Sequence, residues 1–124
     1  MHITFEQVLA NEEIHTYIEQ SDAVLLSMGY TEHSFPHVTH VAVTAAKLLS
    51  DLGYSQREVE LAKIAGFLHD IGNLVNRANH SQSGALMAFR ILDELGLPPE
   101  ELALVVTAIG NHDETSGQPV SPVA

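Results

Sequence analysis

Glycine punctuates a chain whose apolar residues otherwise recur at helical spacing. Gly29, Gly53, Gly72, Gly96 and Gly110 each fall where a stretch of helical periodicity stops. A glycine just past the last periodic residue is a common signal for a helix C-terminus. No segment alternates apolar and polar residues over the length of a strand. The start signals agree with the stops. Thr4-x-x-Gln7 reads as a capping box opening a short first helix, and Asn11 as the cap of a second helix that runs to Met28. Tyr30 to Pro36 reads as a loop. A third helix follows Pro36, with Val38, Val41, Ala42, Ala45, Leu48 and Leu49 on its apolar stripe. Ser55-x-x-Glu58 caps a fourth, which ends at His69-Asp70. Asn73 to Asn79 reads as a polar loop, Ser81 to Leu95 as a fifth helix, and Pro98-Pro99 as the opening of a sixth. The expected fold is all-α, a compact bundle of about six helices, with a Ser-, Gly- and Pro-rich tail from Asp113 to Ala124.

Charge narrows the possible partners. The 124 residues carry a net charge of −11, and only Lys47, Arg57, Lys63, Arg77 and Arg90 are positive. Extended nucleic acid and anionic membrane surfaces both need a basic patch, so neither is expected as a partner. Any phosphate must be held locally, by a metal or by one or two of these cations. Cysteine is absent, so a transition metal would have to rest on histidine and carboxylate. No apolar run is long enough to span a bilayer, and Met-His-Ile-Thr-Phe-Glu lacks the features of a signal peptide, so the expected location is cytoplasmic.

The chemistry concentrates at His69-Asp70-Ile71-Gly72, which closes the apolar run from Leu61 to Leu68. Neighbouring helical residues point about 100° apart, so the pair does not read as ordinary core. Aspartate also sits badly at the negative end of a helix unless a positive charge compensates it. A divalent cation would do so, and imidazole and carboxylate together suit Zn, Mn or Fe. The chain has eight histidines, and His37, His69, His80 and His112 all fall near helix ends, where separate segments can converge on one pocket. His33, His37 and His40 are spaced at three and four residues. Only one or two of them can reach an ion held by His69 and Asp70. His40 is expected to face neighbouring helices, and His2 and His15 to lie on the surface without a role.

The strings Phe35-Pro-His37-Val-Thr-His-Val41-Ala42, Leu68-His-Asp-Ile-Gly72, His80-Ser-x-x-Gly84 and Asn111-His-Asp-Glu114 together resemble the HD-domain superfamily of metal-dependent phosphohydrolases. The resemblance covers about residues 30 to 120 and implies an all-helical, HD-domain-like fold. It implies that His37, His69 and Asp70 are metal ligands, with Asp70 able to bridge two ions. His80 and His112 resemble the additional ligands of the binuclear branch, which includes cyclic-dinucleotide phosphodiesterases of the HD-GYP type. The implied cofactors are one or two divalent ions per chain, drawn from Mn, Fe, Zn, Ni or Mg. In a two-ion site the metals activate a shared water and clamp the attacking and leaving oxygens.

The chain departs from that pattern in three places. Asn73 stands where the phosphodiesterases usually carry Lys, the Gly-Tyr-Pro motif is replaced by Ser116-Gly-Gln-Pro119, and the closing Asp of a further helix has no counterpart before Ala124. The expectation is a single HD-like domain over residues 1–124 without the family's C-terminal helices. Either the last ligand is then lacking, or Asp113, Glu114 or another chain takes its place. Asp70 and Arg77 are the expected catalytic residues, Arg77 as a phosphate clamp, since guanidinium matches phosphate geometry. The expected activity is a phosphomonoesterase or phosphodiesterase acting on a small phosphorylated substrate such as a nucleotide, and a homodimer is compatible with it. The rivals are a catalytically degenerate metal- or nucleotide-binding sensor and a helical dimerisation domain with fortuitous histidines.

Overall fold

The structure, a computed structural model, describes residues 3–30, 34–112 and 123. Its elements are α1 (Phe5–Leu9), α2 (Glu12–Ser27), α3 (Ser34–Asp51), α4 (Gln56–Leu68), a one-turn 3-10 helix (Ile71–Leu74), α5 (His80–Leu95) and α6 (Pro99–Gly110). There are no strands among the described residues. The expected all-α bundle of six helices is therefore the observed one.

The helix starts are made locally. Thr4 accepts from the Gln7 N–H at 3.2 Å while the Gln7 side chain accepts from the Thr4 N–H at 2.8 Å. Asn11 accepts from the Ile14 N–H, and Ser55 from the Glu58 N–H. Pro98 and Pro99 open α6, where a missing N–H costs nothing.

The core is built around α4. Leu61, Ala62, Ile64, Ala65, Gly66, Phe67 and Leu68 are all buried, so this helix is apolar all round toward its C-terminal end. A helix of that kind belongs in the interior. Leu61, Ile64, Phe67 and Leu68 each contribute roughly 1.5–3 kcal/mol by leaving water. α1, α3 and α6 pack against α4, while α2 and α5 pack against the 3-10 turn that follows it. Phe5 of α1 meets Phe67 edge-on at 5.8 Å. Against α3 the approach is so close that a Cβ on Gly66 would lie 3.0 Å from the Ala42 Cα. Arg57 ties α4 to α6 by a bidentate pair with Glu101, both bonds 2.7 Å, and reaches the Ile3 carbonyl with a third.

Several expectations are corrected. The loop placed over Tyr30 to Pro36 ends early, because α3 begins at Ser34. Pro36 is accommodated in its first turn, where backbone N–H groups have no helical partner. The Asp22 carboxylate of α2 supplies a cap, accepting from the Ser34 N–H at 2.9 Å and from its hydroxyl. The buried stripe of α3 is Val38, Ala42, Ala46 and Leu49, whereas Leu48 is 59% exposed. Val41 and Ala45 are only half-buried, at the margin of that stripe. Part of the loop placed over Asn73 to Asn79 is the 3-10 turn, and Asn73 is buried in it.

Candidate metal centre

Asp70 sits between the C-terminus of α4 and the 3-10 turn, and four imidazoles surround it. Its Oδ2 lies 3.1 Å from the Nε2 of His37 and 3.1 Å from that of His69. Its Oδ1 lies 3.3 Å from the Nε2 of His80 and 3.5 Å from that of His112. One carboxylate thus serves two groups, His37-His69-Asp70 and Asp70-His80-His112, each compact enough to hold an ion. All five side chains expected as metal ligands meet here.

Local backbone geometry aims the rings. His69, at the C-cap of α4, turns its Nδ1 onto the Gly66 carbonyl. His80 turns its Nδ1 onto the Arg77 carbonyl at 3.0 Å, and His112 onto the Ile109 carbonyl at 2.6 Å. In each case the acceptor lies three residues earlier. Gly66 and Ile109 belong to the last turns of α4 and α6, where carbonyls have lone pairs to offer beyond the regular helical ladder. A carbonyl can only accept, so each Nδ1 carries a proton and each Nε2 points at the centre, where it could serve as a ligand atom. Ligating histidines are typically oriented in this way.

Two close backbone approaches bring the halves together. A Cβ on Gly72 would overlap the His80 carbonyl and crowd the Gly84 N–H, and one on Gly84 would lie 3.1 Å from the Gly72 nitrogen. This glycine-on-glycine contact lets the turn after Asp70 sit against the first turn of α5, where His80 is. Asn79 precedes His80 in the left-handed region at φ 57°, which Asn tolerates better than most residues. Gln82 donates to the Gly110 carbonyl at 2.8 Å and so fixes the start of α5 to the end of α6, beside His112.

The site is short of positive charge. Burial opposes ionisation of Asp70, but hydrogen bonding to His112 and His69 and the charge on those rings outweigh it and hold the carboxyl far below the ordinary range. Burial pushes the His80 imidazole below its usual value, toward the neutral form. The C-termini of α4 and α6 add the negative ends of two helix dipoles. A neutral imidazole has one N–H, and on His69, His80 and His112 it is spent on a backbone carbonyl. Nε2 can donate to Asp70 only from a charged ring; from a neutral ring it would offer a lone pair to the carboxylate, and the Nε2 atoms of His80 and His112 also face each other at 3.0 Å. A divalent cation in each group would turn these repulsions into coordination. The all-nitrogen-and-oxygen donor set fits Mn, Fe, Ni or Zn.

Arg77 lies outside both clusters. Its exposed guanidinium reaches Asn73 Oδ1 at 3.4 Å and lies 6.0 Å from the Tyr30 ring centroid, while its carbonyl orients His80. His40 is exposed among the described residues, so the expectation that it faces neighbouring helices is corrected. His15 is half-buried, with its ring 4.8 Å from that of Phe35 and its Nε2 against the Leu9 carbonyl, which gives it a packing role the sequence did not suggest. Asn73, in the 3-10 turn, accepts from Arg77 in the loop that follows, a contact that no sequence signal indicates. His2, His33, Asp113, Glu114 and the Ser116 to Pro119 stretch lie outside the described residues.

Comparison with known proteins gives a consistent picture. The family model described as HD domain matches residues 35–122. An uncharacterized protein of Methanocaldococcus jannaschii, MJ1020, is 24% identical over 73% of this chain and 41% of its own length. Ribonuclease Y of Enterococcus faecalis is 33% identical over 68% of this chain, and that of Latilactobacillus sakei 32% over 86%. The chain spans only 15% and 20% of those two proteins. No solved structure matches it.

Proposed function

The chain belongs to the HD domain family, and from that premise we propose that it is a metal-dependent phosphohydrolase acting on a small phosphate ester. The observation that carries the proposal is the Asp70 carboxylate shared between two pairs of inward-facing Nε2 atoms. His37, His69 and Asp70 would hold one divalent ion, and Asp70, His80 and His112 a second. Ions bound there would lower the pKa of a shared water and stabilise charge on the phosphate oxygens.

The chain's own residues do the positioning. Asp70, kept ionised, offers one oxygen to each half of the site. The three backbone carbonyls place the proton of each neutral ring on Nδ1 and aim Nε2 of His69, His80 and His112 inward. Four neutral imidazoles and one carboxylate leave a two-ion site with net positive charge, which suits an anionic substrate. Arg77, on the loop leading to His80, is the one cation beside the site and the candidate phosphate clamp. Lys47, Arg57 and Arg90 are paired with carboxylates, and Lys63 lies over the Phe5 ring.

Two relatives are named as ribonucleases, which is consistent with phosphate-ester hydrolysis as the bond chemistry. A net charge of −11 and a single rim cation argue against an RNA strand lying across this chain. No helix of the described residues is long and apolar enough to cross a membrane.

The test is turnover of p-nitrophenyl phosphate and bis-p-nitrophenyl phosphate by Mn- or Fe-loaded protein. Hydrolysis that disappears in Asp70→Asn supports the proposal. No turnover with any of Mn, Fe, Ni, Zn or Mg, in protein that retains its metal, favours a binding module instead.

A further inference from the structure

Three of the four inward-facing imidazoles are tied to the backbone, and the fourth is placed by different means. The rings of His69, His80 and His112 each turn Nδ1 onto the carbonyl three residues earlier, a group at a helix end or in a loop. For His37 the corresponding carbonyl belongs to Ser34, the first residue of α3. That carbonyl lies within the helical ladder, where it accepts from the residue four further on. His37 is also the most open of the four. Its side chain is 45% exposed, against 14% for His69, 8% for His80 and 21% for His112. The resting place of its Nε2 is therefore set by where α3 begins and by how firmly its first turn is held.

That first turn is held from outside the helix. The half-buried Asp22 of α2 accepts through one oxygen, Oδ1, from both the N–H and the hydroxyl of Ser34. Ser34 is buried, and bonds to an ionised acceptor are the stronger kind. The carboxylate also lies at the positive end of the α3 dipole. Phe35, the next residue, packs its ring on those of His15 of α2 and Phe67 of α4, at 4.8 and 6.5 Å. His37 follows within the same turn of helix. We infer that Asp22 is a positioning residue for His37: by fixing the start of α3 it sets the affinity of the His37-His69-Asp70 group for its ion. An ion that met a loosened first turn would have to order it on binding, and that ordering subtracts from affinity. The histidines of the second group are carried by α5 and by the residues after α6, and meet the other oxygen of Asp70. Their ion does not depend on Asp22. The inference rests on the metal centre proposed above and not on turnover.

Single-ion backgrounds separate the two groups. Mn affinity is measured by titration, with free Mn read by electron paramagnetic resonance. The first background, His80→Ala with His112→Ala, keeps the His37 group; the second, His37→Ala, keeps the His80 group. Adding Asp22→Ala should lower Mn affinity about tenfold in the first background, the low end of the loss when a group supporting a metal ligand is removed. Affinity in the second should be unchanged. Asp22→Asn keeps an oxygen able to accept both bonds, so it should restore most of the affinity. Ser34→Ala removes one of the two bonds and should weaken Mn binding in the first background by a smaller factor, which provides a reading even if Asp22→Ala does not fold. Equal losses in both backgrounds, the mark of a merely structural role, or no loss in the first, overturn the inference alone. Failure of Mn to bind in either background overturns the metal-centre reading and the inference with it.

Discussion

Replacing Gly72 by alanine would test how the two halves of the site are held together. Gly72 has no positive φ, so the substitution introduces no backbone strain, and in open space it would be neutral or mildly stabilising. Here the new Cβ would overlap the His80 carbonyl and crowd the Gly84 N–H, both of them backbone groups of α5. No side chain can rotate out of the way. The turn and the helix must separate by something on the order of 1 Å to restore van der Waals contact. Overpacking of this kind costs about 3 kcal/mol, the upper part of its usual range. For a domain of this size that lowers Tm by about 10 °C. The same separation draws His80 away from Asp70, beyond the ~0.5 Å tolerance of a metal site. Thermal unfolding and metal analysis of purified Gly72→Ala should show both effects, with metal content falling toward one ion per chain. Gly110→Ala is the control, because among the described residues its Cβ meets the Ala85 Cβ alone, at 3.4 Å, and that contact is with a side chain rather than backbone. A Gly72→Ala protein with wild-type Tm and full metal content would refute the idea that this contact sets the site.

Two further outcomes are expected. Arg57→Met removes the bidentate pair with Glu101, whose partners are about one-fifth exposed; the loss should be about 2 kcal/mol, between the values for surface and buried pairs, and a denaturant midpoint unchanged from wild type would contradict the role of this pair in joining α4 to α6. Burial holds the His80 imidazole below its ordinary value, so below about pH 6.5 the unfolded chain takes up a proton that the folded chain does not. Metal-free stability should therefore fall between pH 7.5 and 5.5, and fall less steeply in His80→Gln; equal slopes in urea titrations of the two proteins would contradict this.

What the sequence reveals about this fold is mostly what is decided within three or four residues. The caps at Thr4, Asn11 and Ser55 and the proline start of α6 are local contacts, and all are legible. The start of α3 is not, because part of its cap is Asp22, twelve residues away on another helix. Nor is the exposure of Leu48, which depends on which face of α3 meets α4. Asp70 and the four histidines around it could be picked out from motif order, but no spacing rule shows that one carboxylate faces two imidazole pairs. That arrangement depends on the Gly72–Gly84 contact and the Gln82–Gly110 tether, both of them tertiary. The motif glycine after His-Asp-Ile reads in sequence as a helix stop, and in the structure it is also the place where α5 must come close.

The central claim is that Asp70 is shared between two ions. Elemental analysis of untagged protein, supplied with Mn or Fe and freed of excess metal, tests it most directly. Wild type should approach two ions per chain, His80→Ala with His112→Ala about one, and Asp70→Ala close to none. Full metal content in Asp70→Ala, or a wild-type content that stays at one and is unchanged by the double substitution, would contradict it.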